Sequence, residues 1–301
     1  MLASTGMLDE ALLVLADAWV AVAFALGLVV GSFLNVVIHR MPRGESIVHP
    51  GSHCPGCGAA VRWYDNLPLL SYLWLRGRCR GCRARISLRY PAIELLTGCL
   101  FAAVALRFGV APMALLGCAF AAALVATAVI DFDHRIIPDE ISLGGLVAAL
   151  ALVPLVAWHA GHGYLDALGR SLLGAALGVG LLWVVGFVHA RLSVGFGRRF
   201  EHWPGEGEAP PAPASLDYWT WFPGVGFGDV KLLAMVGAVL GPFGVLETIV
   251  AASLAGLVFG AVALGARRRW DTPFGFGPAI AAGALAALLA PNGLGLFGLL
   301  R

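Results

Sequence analysis

The sequence predicts an all-α polytopic membrane protein with about eight transmembrane helices and a small cytoplasmic four-cysteine zinc-binding domain. Three observations favour this fold class: the composition, the length of the apolar segments and two pairs of cysteines. Of the 301 residues, 59% are hydrophobic and only 13% are charged, with a mean hydropathy of +0.83. Soluble domains carry roughly 25% charged residues, so this composition indicates a chain that lies mostly in lipid.

The apolar segments are long enough to cross a membrane. A span needs about 20 apolar residues to cross about 30 Å of hydrocarbon. The first ten residues contain no Lys or Arg, which argues against a removable signal peptide and predicts a permanent first span. The sixth candidate is short and ends at Gly241-Pro242, so it can tilt, break or merge with the seventh. The eight candidates are about 14–38, 91–108, 110–131, 140–158, 166–190, 230–243, 245–265 and 277–298.

The distribution of basic residues predicts the orientation in the membrane. Lys and Arg are enriched in cytoplasmic segments. With the N-terminus outside, sixteen of the 20 basic residues lie in the inside segments, and Lys231 lies just inside the sixth span near the same face. Three, Arg107, Arg170 and Arg301, lie on the other side. Asp131 and Asp229 then both lie at the cytoplasmic face. The predicted inside segments are 39–90, 132–139, 191–229 and 266–276.

The inside segment 39–90 contains two C-x-x-C motifs separated by 21 residues: Cys54 with Cys57, and Cys79 with Cys82. Each motif offers two thiolates from one tight turn, and two motifs complete a tetrahedral site that suits zinc. Four thiolates leave no open position, so the zinc is predicted to be structural, with a catalytic zinc as the alternative. His53 is an alternative ligand. A reducing cytoplasm argues against disulfides.

A second segment outside the membrane, about 198–224, is rich in Pro, Gly and Glu. This composition cannot bury a core and predicts a flexible cytoplasmic insert. The predicted domains are the first transmembrane segment at 1–38, the four-cysteine domain at 39–90 and the membrane domain at 91–301, which includes the insert. Four aromatic residues lie at the end of the insert, where an interfacial belt is predicted and a substrate-facing role is the alternative: Tyr218, Trp219, Trp221 and Phe222.

The chain contains 40 glycines, some of them spaced for close packing of membrane helices. Lipid supplies no hydrophobic drive between helices, so small residues that let backbones approach are favoured at helix contacts. Such spacings also arise by chance in a glycine-rich chain. Three pairs have the G-x-x-x-G spacing: Gly27 with Gly31, Gly174 with Gly178, and Gly256 with Gly260.

Two aspartates lie at the borders of apolar runs. Asp131 closes the run 119–130, and Asp229 opens another after Gly226-Phe227-Gly228. An ionisable residue at a membrane-helix end is costly and indicates a functional site, although each could simply cap a helix. If the two carboxyl groups meet, both cannot easily ionise. One then stays protonated and polarises a scissile carbonyl, while the ionised partner activates water as a general base.

Three neighbouring charged residues are weighed against this pair. Asp133 is the nearest competitor to Asp131, but it lies further from the apolar run and is expected to be more solvated. Asp139 follows Pro138 at the start of the next span, where a structural role near the helix dipole is expected. Lys231 either pairs with Asp229 or extends to the membrane interface.

Several motifs occur in one order along the chain, and together they resemble the bacterial type IV prepilin peptidases, the G-x-G-D class of membrane aspartic proteases. The paired cysteine motifs are among them. The segment 191–225, with its Pro/Glu-rich insert, is longer than the resemblance predicts. The other matching segments are Gly31 through Arg40, Asn66-Leu67-Pro68, Leu70-Ser71-Tyr72-Leu73, Arg89-Tyr90-Pro91 through Glu94-Leu95-Leu96-Thr97-Gly98, Asp131-Phe132-Asp133-His134 with Ile137-Pro138-Asp139, Gly226-Phe227-Gly228-Asp229-Val230-Lys231 and a late loop, Pro273-Phe274-Gly275-Phe276-Gly277-Pro278.

The resemblance implies an enzyme of the bacterial inner membrane that cleaves the leader of type IV prepilins and type II secretion pseudopilins at the cytoplasmic face. By motif match, Asp131 and Asp229 would be catalytic. The resemblance also implies S-adenosylmethionine-dependent N-methylation of the new N-terminus. No Gly-rich nucleotide-binding fingerprint accompanies it, so the residues that bind this cofactor are unknown. The expected partners are the substrates and the lipid bilayer, with no nucleic acid.

Two other classes of function remain as alternatives. A transporter could use Asp131 and Asp229 as a proton or cation relay, because carboxylates in membrane segments mark such pathways. Internal repeats and helices broken at the midplane, which are frequent in transporters, are not evident in the sequence. A non-catalytic scaffold could use the four-cysteine domain to bind a secretion partner. Cleavage of a leader–helix substrate would separate the peptidase from both alternatives.

Overall fold

The structure is a computed structural model that describes residues 3–196, 212–220, 226–265 and 275–290. Over these ranges the fold is helical, with no β-strand and two isolated bridges, His53 to Ala60 and Arg78 to Arg85. The predicted all-α class is therefore confirmed. The helices are α1 (Ala3–Arg40), α2 (Leu70–Trp74), α3 (Arg89–Phe108), α4 (Pro112–His134), α5 (Asp139–His159), α6 (Tyr164–Gly195), α7 (Leu216–Thr220), α8 (Phe227–Gly265) and α9 (Gly277–Leu289).

Some residues used in the sequence argument lie outside the described ranges. They include most of the predicted insert 198–224, together with the part of the eighth predicted span that follows residue 290. The individual residues are Arg198, Arg199, Trp221, Phe222, Arg267, Arg268, Arg269, Pro273, Phe274 and Arg301.

Within the described ranges, 6 helical segments are long and apolar enough to cross a membrane. The predicted count of about eight spans is not confirmed. The sixth and seventh predicted spans fall within α8, and α9, with 13 residues, is shorter than a span. The six segments are Asp17–Arg43, Arg89–Phe108, Pro112–His134, Asp139–His159, Tyr164–Gly195 and Phe227–Val258.

The long helix α8 contains one break. Gly241 has φ 74° and ψ −178°, outside the helical region, and Pro242 follows it inside the same helix. Proline lacks an N–H and clashes with the preceding turn, and glycine tolerates a positive φ, so the pair interrupts the helix without ending it. The possibility that the sixth and seventh apolar runs are continuous is thus the one observed, with a kink where they meet.

The chain divides into two compact units, Met1–Ile130 and Asp131–Arg301. In the first unit, α1 packs along α3. A Cβ added at Gly27 would lie 2.7 Å from the carbonyl oxygen of Thr97, and one added at Gly31 would lie 2.7 Å from Cα of Glu94. The first G-x-x-x-G pair therefore serves helix packing, because these two backbones approach too closely for a side chain.

In the second unit, α8 packs against α5, α6 and α9. A Cβ at Gly174 would lie 2.7 Å from the carbonyl carbon of Gly237, and one at Gly178 would lie 2.7 Å from that of Leu233. The second glycine pair therefore also lies at a helix contact, as predicted. Gly256 differs, because a Cβ there would meet nothing within 4 Å. The structure therefore shows no packing contact for Gly256 among the described residues of this chain.

The described part of the predicted insert, residues 212–220, packs onto α6. The ring of Trp219 stacks on that of Phe187 with centroids 5.4 Å apart, and the indole N–H of Trp183 donates to the Trp219 carbonyl at 2.8 Å. The Arg191 guanidinium carbon lies 4.1 Å from the ring centroid of Phe187 and 4.2 Å from that of Tyr218. Tyr218 and Trp219 therefore pack against other residues of the protein. The prediction of an interfacial belt did not anticipate these contacts.

Candidate active site

Asp131 lies in the last turn of α4, where the helix is stopped by its own backbone geometry. The N–H of Arg135 donates to the carbonyl of Asp131 at 2.9 Å, and Arg135 adopts a left-handed φ of 56°. A left-handed residue just past the last turn ends many helices. The side chain of Asp131 is buried, with 5% of the residue exposed. The helix end therefore holds a carboxyl group away from solvent.

Asp229 lies in the first turn of α8 and is also buried, with 7% exposed. Its N–H donates to the carbonyl of Gly226 at 3.0 Å, which forms a tight turn into the helix. A Cβ at Gly228 would lie 3.0 Å from Cβ of Ile137, so this glycine lets the helix start approach the segment after α4. The G-x-G of this motif thus provides a turn and a close contact.

The two acids belong to the same compact unit, and the charge of Asp131 acts electrostatically on Asp229. They are the two buried aspartates among the residues whose burial the structure describes. A chain separation of almost a hundred residues is therefore closed by the packing of the second unit. The fold brings together the pair that the sequence singled out, at one end of α4 and one end of α8.

A glycine turn from the late loop lies against Asp131. The N–H of Gly277, the first residue of α9, donates to Oδ2 of Asp131 at 3.1 Å. A Cβ at Gly277 would lie 2.7 Å from that oxygen, and a Cβ at Gly275 would lie 2.7 Å from Cγ of Asp131. Both glycines belong to the late-loop motif of the resemblance, for which no role in the site was predicted. The sequence pattern that could have indicated a role is the pair of glycines separated by one residue, directly before Pro278 at the start of a helix.

The three charged residues that lie near the aspartate pair in the sequence have surroundings different from those of the pair. Asp133 and Asp139 are both exposed, so the expected greater solvation of Asp133 is confirmed. Asp139 begins α5 after Pro138, in agreement with its predicted place near a helix start. Lys231 forms an ion pair with Asp139. The sequence had suggested Asp229 or the membrane interface as the surroundings of the Lys231 ammonium group. It did not predict Asp139 as the partner.

The four predicted metal ligands cluster in the first unit. Their sulfur atoms all lie within 4.8 Å of one another, and Sγ of Cys54 lies 3.7 Å from Sγ of Cys82. Zn–S bonds of about 2.3 Å place tetrahedral sulfurs about 3.8 Å apart, so the cluster fits a four-thiolate zinc site. His53 is not part of it. Among the described residues no other group of metal-binding side chains is found.

The two cysteine turns have matching backbone geometry. The N–H of Cys54 donates to the carbonyl oxygen of Ala59, and the N–H of Cys79 donates to the carbonyl oxygen of Ala84, both at 2.9 Å. Backbone N–H groups of Cys82 and Gly81 lower the pKa of the Cys79 thiol to about 7. Donors of this kind stabilise a thiolate, which is the form that binds metal. The two turns thus share one backbone hydrogen-bond pattern and bring their four sulfur atoms close together.

An ion pair supports the second cysteine turn. Arg80 donates from Nε to Oδ2 of Asp65 at 2.9 Å and from Nη2 to Oδ1 at 2.6 Å. These hydrogen bonds hold the pKa of Asp65 below its usual value. The bidentate geometry joins the turn to the short helical segment Trp63–Asn66, within a domain that lacks a large core.

The fold and the two sites define a polytopic helical membrane protein with a buried aspartate pair and a four-cysteine cluster. Comparison with protein families gives two matches: the bacterial peptidase A24 N-terminal domain over residues 25–108, and the type IV leader peptidase family over residues 118–261. The chain belongs to the type IV leader peptidase family. No solved structure matches it.

Several curated proteins are similar over most of the chain. A prepilin leader peptidase/N-methyltransferase of Myxococcus xanthus (strain DK1622) is 41% identical over 80% of this chain, which spans 62% of the length of that relative. Proteins of the same name from Burkholderia pseudomallei (strain 1026b) and Bacillus subtilis (strain 168) are each 35% identical over 89% of this chain. The alignments cover 84% and 93% of their lengths, respectively.

Proposed function

We propose that this chain is a membrane aspartic endopeptidase that removes the leader of type IV prepilins and type II secretion pseudopilins at the cytoplasmic face of the bacterial inner membrane. The observation that carries the proposal is the burial of Asp131 and Asp229 in one unit, close enough to act on each other. Family membership and the names of the relatives support the substrate class.

The chemistry proposed for the pair follows from like charges at short range. Two neighbouring carboxylates cannot both ionise easily, so the pair holds one proton near neutral pH. The ionised carboxylate takes a proton from water, whose oxygen attacks the scissile carbonyl carbon, while the protonated partner donates to the carbonyl oxygen. Collapse of the tetrahedral intermediate breaks the C–N bond, and the departing amine takes a proton from the pair.

A second activity, N-methylation of the newly exposed amine, is proposed from the printed names of the relatives. S-adenosylmethionine supplies an electrophilic methyl group to such an amine. No Gly-rich nucleotide-binding fingerprint occurs in the chain, so this part of the proposal rests on those names alone. The cytoplasmic orientation is supported by the excess of basic residues in the predicted inside segments.

The test is cleavage of a synthetic peptide, a basic leader followed by an apolar helix, by purified protein in detergent. Asp131→Asn and Asp229→Asn are each expected to lower kcat by about 10²–10⁴-fold, because general acid–base catalysis contributes that much. Asp133→Asn is the matched control and should cleave at the wild-type rate. Activity retained in either member of the pair would exclude the two-aspartate mechanism.

The same reaction also tests the remaining alternatives. Mass spectrometry of the product reports loss of the leader and, with S-adenosylmethionine present, the mass shift of a single methylation, in which a methyl group replaces one hydrogen of the amine. A folded wild-type protein that cleaves no leader peptide would favour the transporter or the scaffold. Cleavage without an added methyl group would remove the second activity and leave the first.

A further inference from the structure

The late loop ends in a turn that contacts Asp131 directly. The N–H of Gly277 donates to Oδ2 of Asp131 at 3.1 Å in a buried contact between residues 146 positions apart. Gly277 is the first residue of α9, so its N–H has no acceptor inside the helix. Asp131 therefore caps the N-terminus of α9 from a distant part of the chain.

Glycine is required at two positions by this contact. A Cβ at Gly275 would lie 2.7 Å from Cγ of Asp131, and one at Gly277 would lie 3.0 Å from Cγ and 2.7 Å from Oδ2. Real Cβ atoms essentially never lie within 3.0 Å of another heavy atom, so any other residue would displace the carboxyl group. The two glycines line one side of Asp131 with backbone only.

The environment of Asp131 differs from that of Asp229. Oδ2 of Asp131 accepts the N–H of Gly277, a residue of the distant helix α9, so a backbone donor points at this carboxyl group. Asp229 instead lies within the first turn of its own helix, α8. An N–H donor and a helix N-terminus bind the ionised form of a carboxyl group more strongly than the neutral form.

From this geometry we infer that Gly275 and Gly277 form a positioning turn that holds Asp131 as the ionised carboxylate of the pair. The inference rests on the proposed peptidase function. The turn fixes Oδ2 through the Gly277 N–H, which leaves Oδ1 to accept the proton from water. Asp229 is then the protonated member that donates to the scissile carbonyl. Neither glycine contributes a side chain to the reaction.

The first experiment measures cleavage of the leader peptide by Gly275→Ala and Gly277→Ala. Each added methyl group pushes the carboxyl group away, and a misplacement of about 1 Å can cost about 100-fold in kcat, with KM little changed. The acidic limb of the pH–rate profile is expected to move to higher pH, because Asp131 loses the N–H donor that favours its ionised form.

Two matched glycine variants serve as controls. Gly144→Ala in α5 adds a methyl group where nothing lies within 4 Å, and it should match the wild type. Gly283→Ala in α9 places its methyl group 2.8 Å from the backbone nitrogen of Ala252, away from Asp131. It can destabilise the protein, but its acidic limb should stay in place. Wild-type kcat and pH dependence in both Gly275→Ala and Gly277→Ala, or the same shift in Gly283→Ala, would overturn the inference.

A second measurement does not depend on the folding of the glycine variants or on activity. Amide hydrogen exchange at Gly277 is compared in wild type, Asp131→Asn and Asp131→Ala. Asparagine keeps an acceptor oxygen, so protection should persist, whereas alanine removes it and exchange should rise about tenfold or more. Unchanged exchange in Asp131→Ala would refute the contact. If the proposed peptidase function is itself wrong, the wild-type protein will not cleave the leader peptide. That result is distinct from the exchange result, which tests the contact alone.

Discussion

Lys231, near the start of α8, forms an ion pair with Asp139, the first residue of α5. Lys231 lies two residues after Asp229, and Asp139 lies in the segment that follows Asp131. The ion pair therefore joins the two chain segments that carry the buried acids. Packing of Gly228 against Ile137 occurs between the same segments. The ion pair between Lys231 and Asp139 therefore connects the same two segments that bring the two buried carboxyl groups together.

This ion pair is expected to contribute little to stability. The side chain of Asp139 is 58% exposed and that of Lys231 is 20% exposed. Solvent screens such pairs, so a double-mutant cycle of Lys231→Met and Asp139→Asn should give a coupling of about 0.2–1 kcal/mol in the free energy of unfolding, falling as salt is added. Glu140→Gln is the control partner. An equal coupling between Lys231 and Glu140 would show that the effect is not specific to the pair.

The four-cysteine cluster is expected to bind about one zinc ion per chain, because four thiolates within reach of one centre complete a tetrahedral site. Cys57→Ser or Cys82→Ser should lower the zinc content measured by plasma mass spectrometry and should make 39–90 more sensitive to protease. Cys99→Ser, in α3, should change neither property. Purified protein that folds fully without any metal would contradict this prediction.

The glycine at the α6–α8 contact is expected to be essential for stability. Gly174→Ala places a methyl group 2.7 Å from the carbonyl carbon of Gly237, so the helices must separate, at a cost of about 1–3 kcal/mol. Gly256→Ala meets open space and removes a poor helix former, so it should be neutral or stabilise by up to about 1 kcal/mol. Thermal unfolding measures both. Equal losses in the two variants would show that glycine content, not contact, sets stability.

The segment 212–220 is expected to depend on Arg191 for its attachment to α6. Arg191 lies over the rings of Phe187 and Tyr218 and donates to the Tyr218 carbonyl. Cation–π contacts contribute about 0.5–2 kcal/mol, so Arg191→Ala should accelerate proteolysis within 212–220 by up to about tenfold. Arg170→Ala, also on α6, is the control. The same acceleration in Arg170→Ala would argue against a role for the stacked rings.

Several features of this protein could be read from the sequence because they are local. Helices α3 to α6 follow from apolar runs of sufficient length, and the pairing of cysteines predicts the cluster that the structure brings together. The burial of Asp131 and the exposure of Asp133 follow from their distances to the apolar run, since a membrane helix end shields the residue that lies inside it.

Other features depend on which helices become neighbours, and the sequence does not contain that information in any local pattern. The spacing of Gly174 and Gly256 is the same, yet only Gly174 meets another helix. Lys231 could have served several partners, and packing of α8 against α5 selected Asp139.

Hydropathy, motif order and cysteine spacing were sufficient for the fold class and the family. Packing within the second unit alone decided that the Gly277 N–H meets Asp131, 146 residues away. The physical reason is that hydrophobic burial depends on composition along the chain, whereas a hydrogen bond forms only when two backbones arrive within about 3 Å of each other.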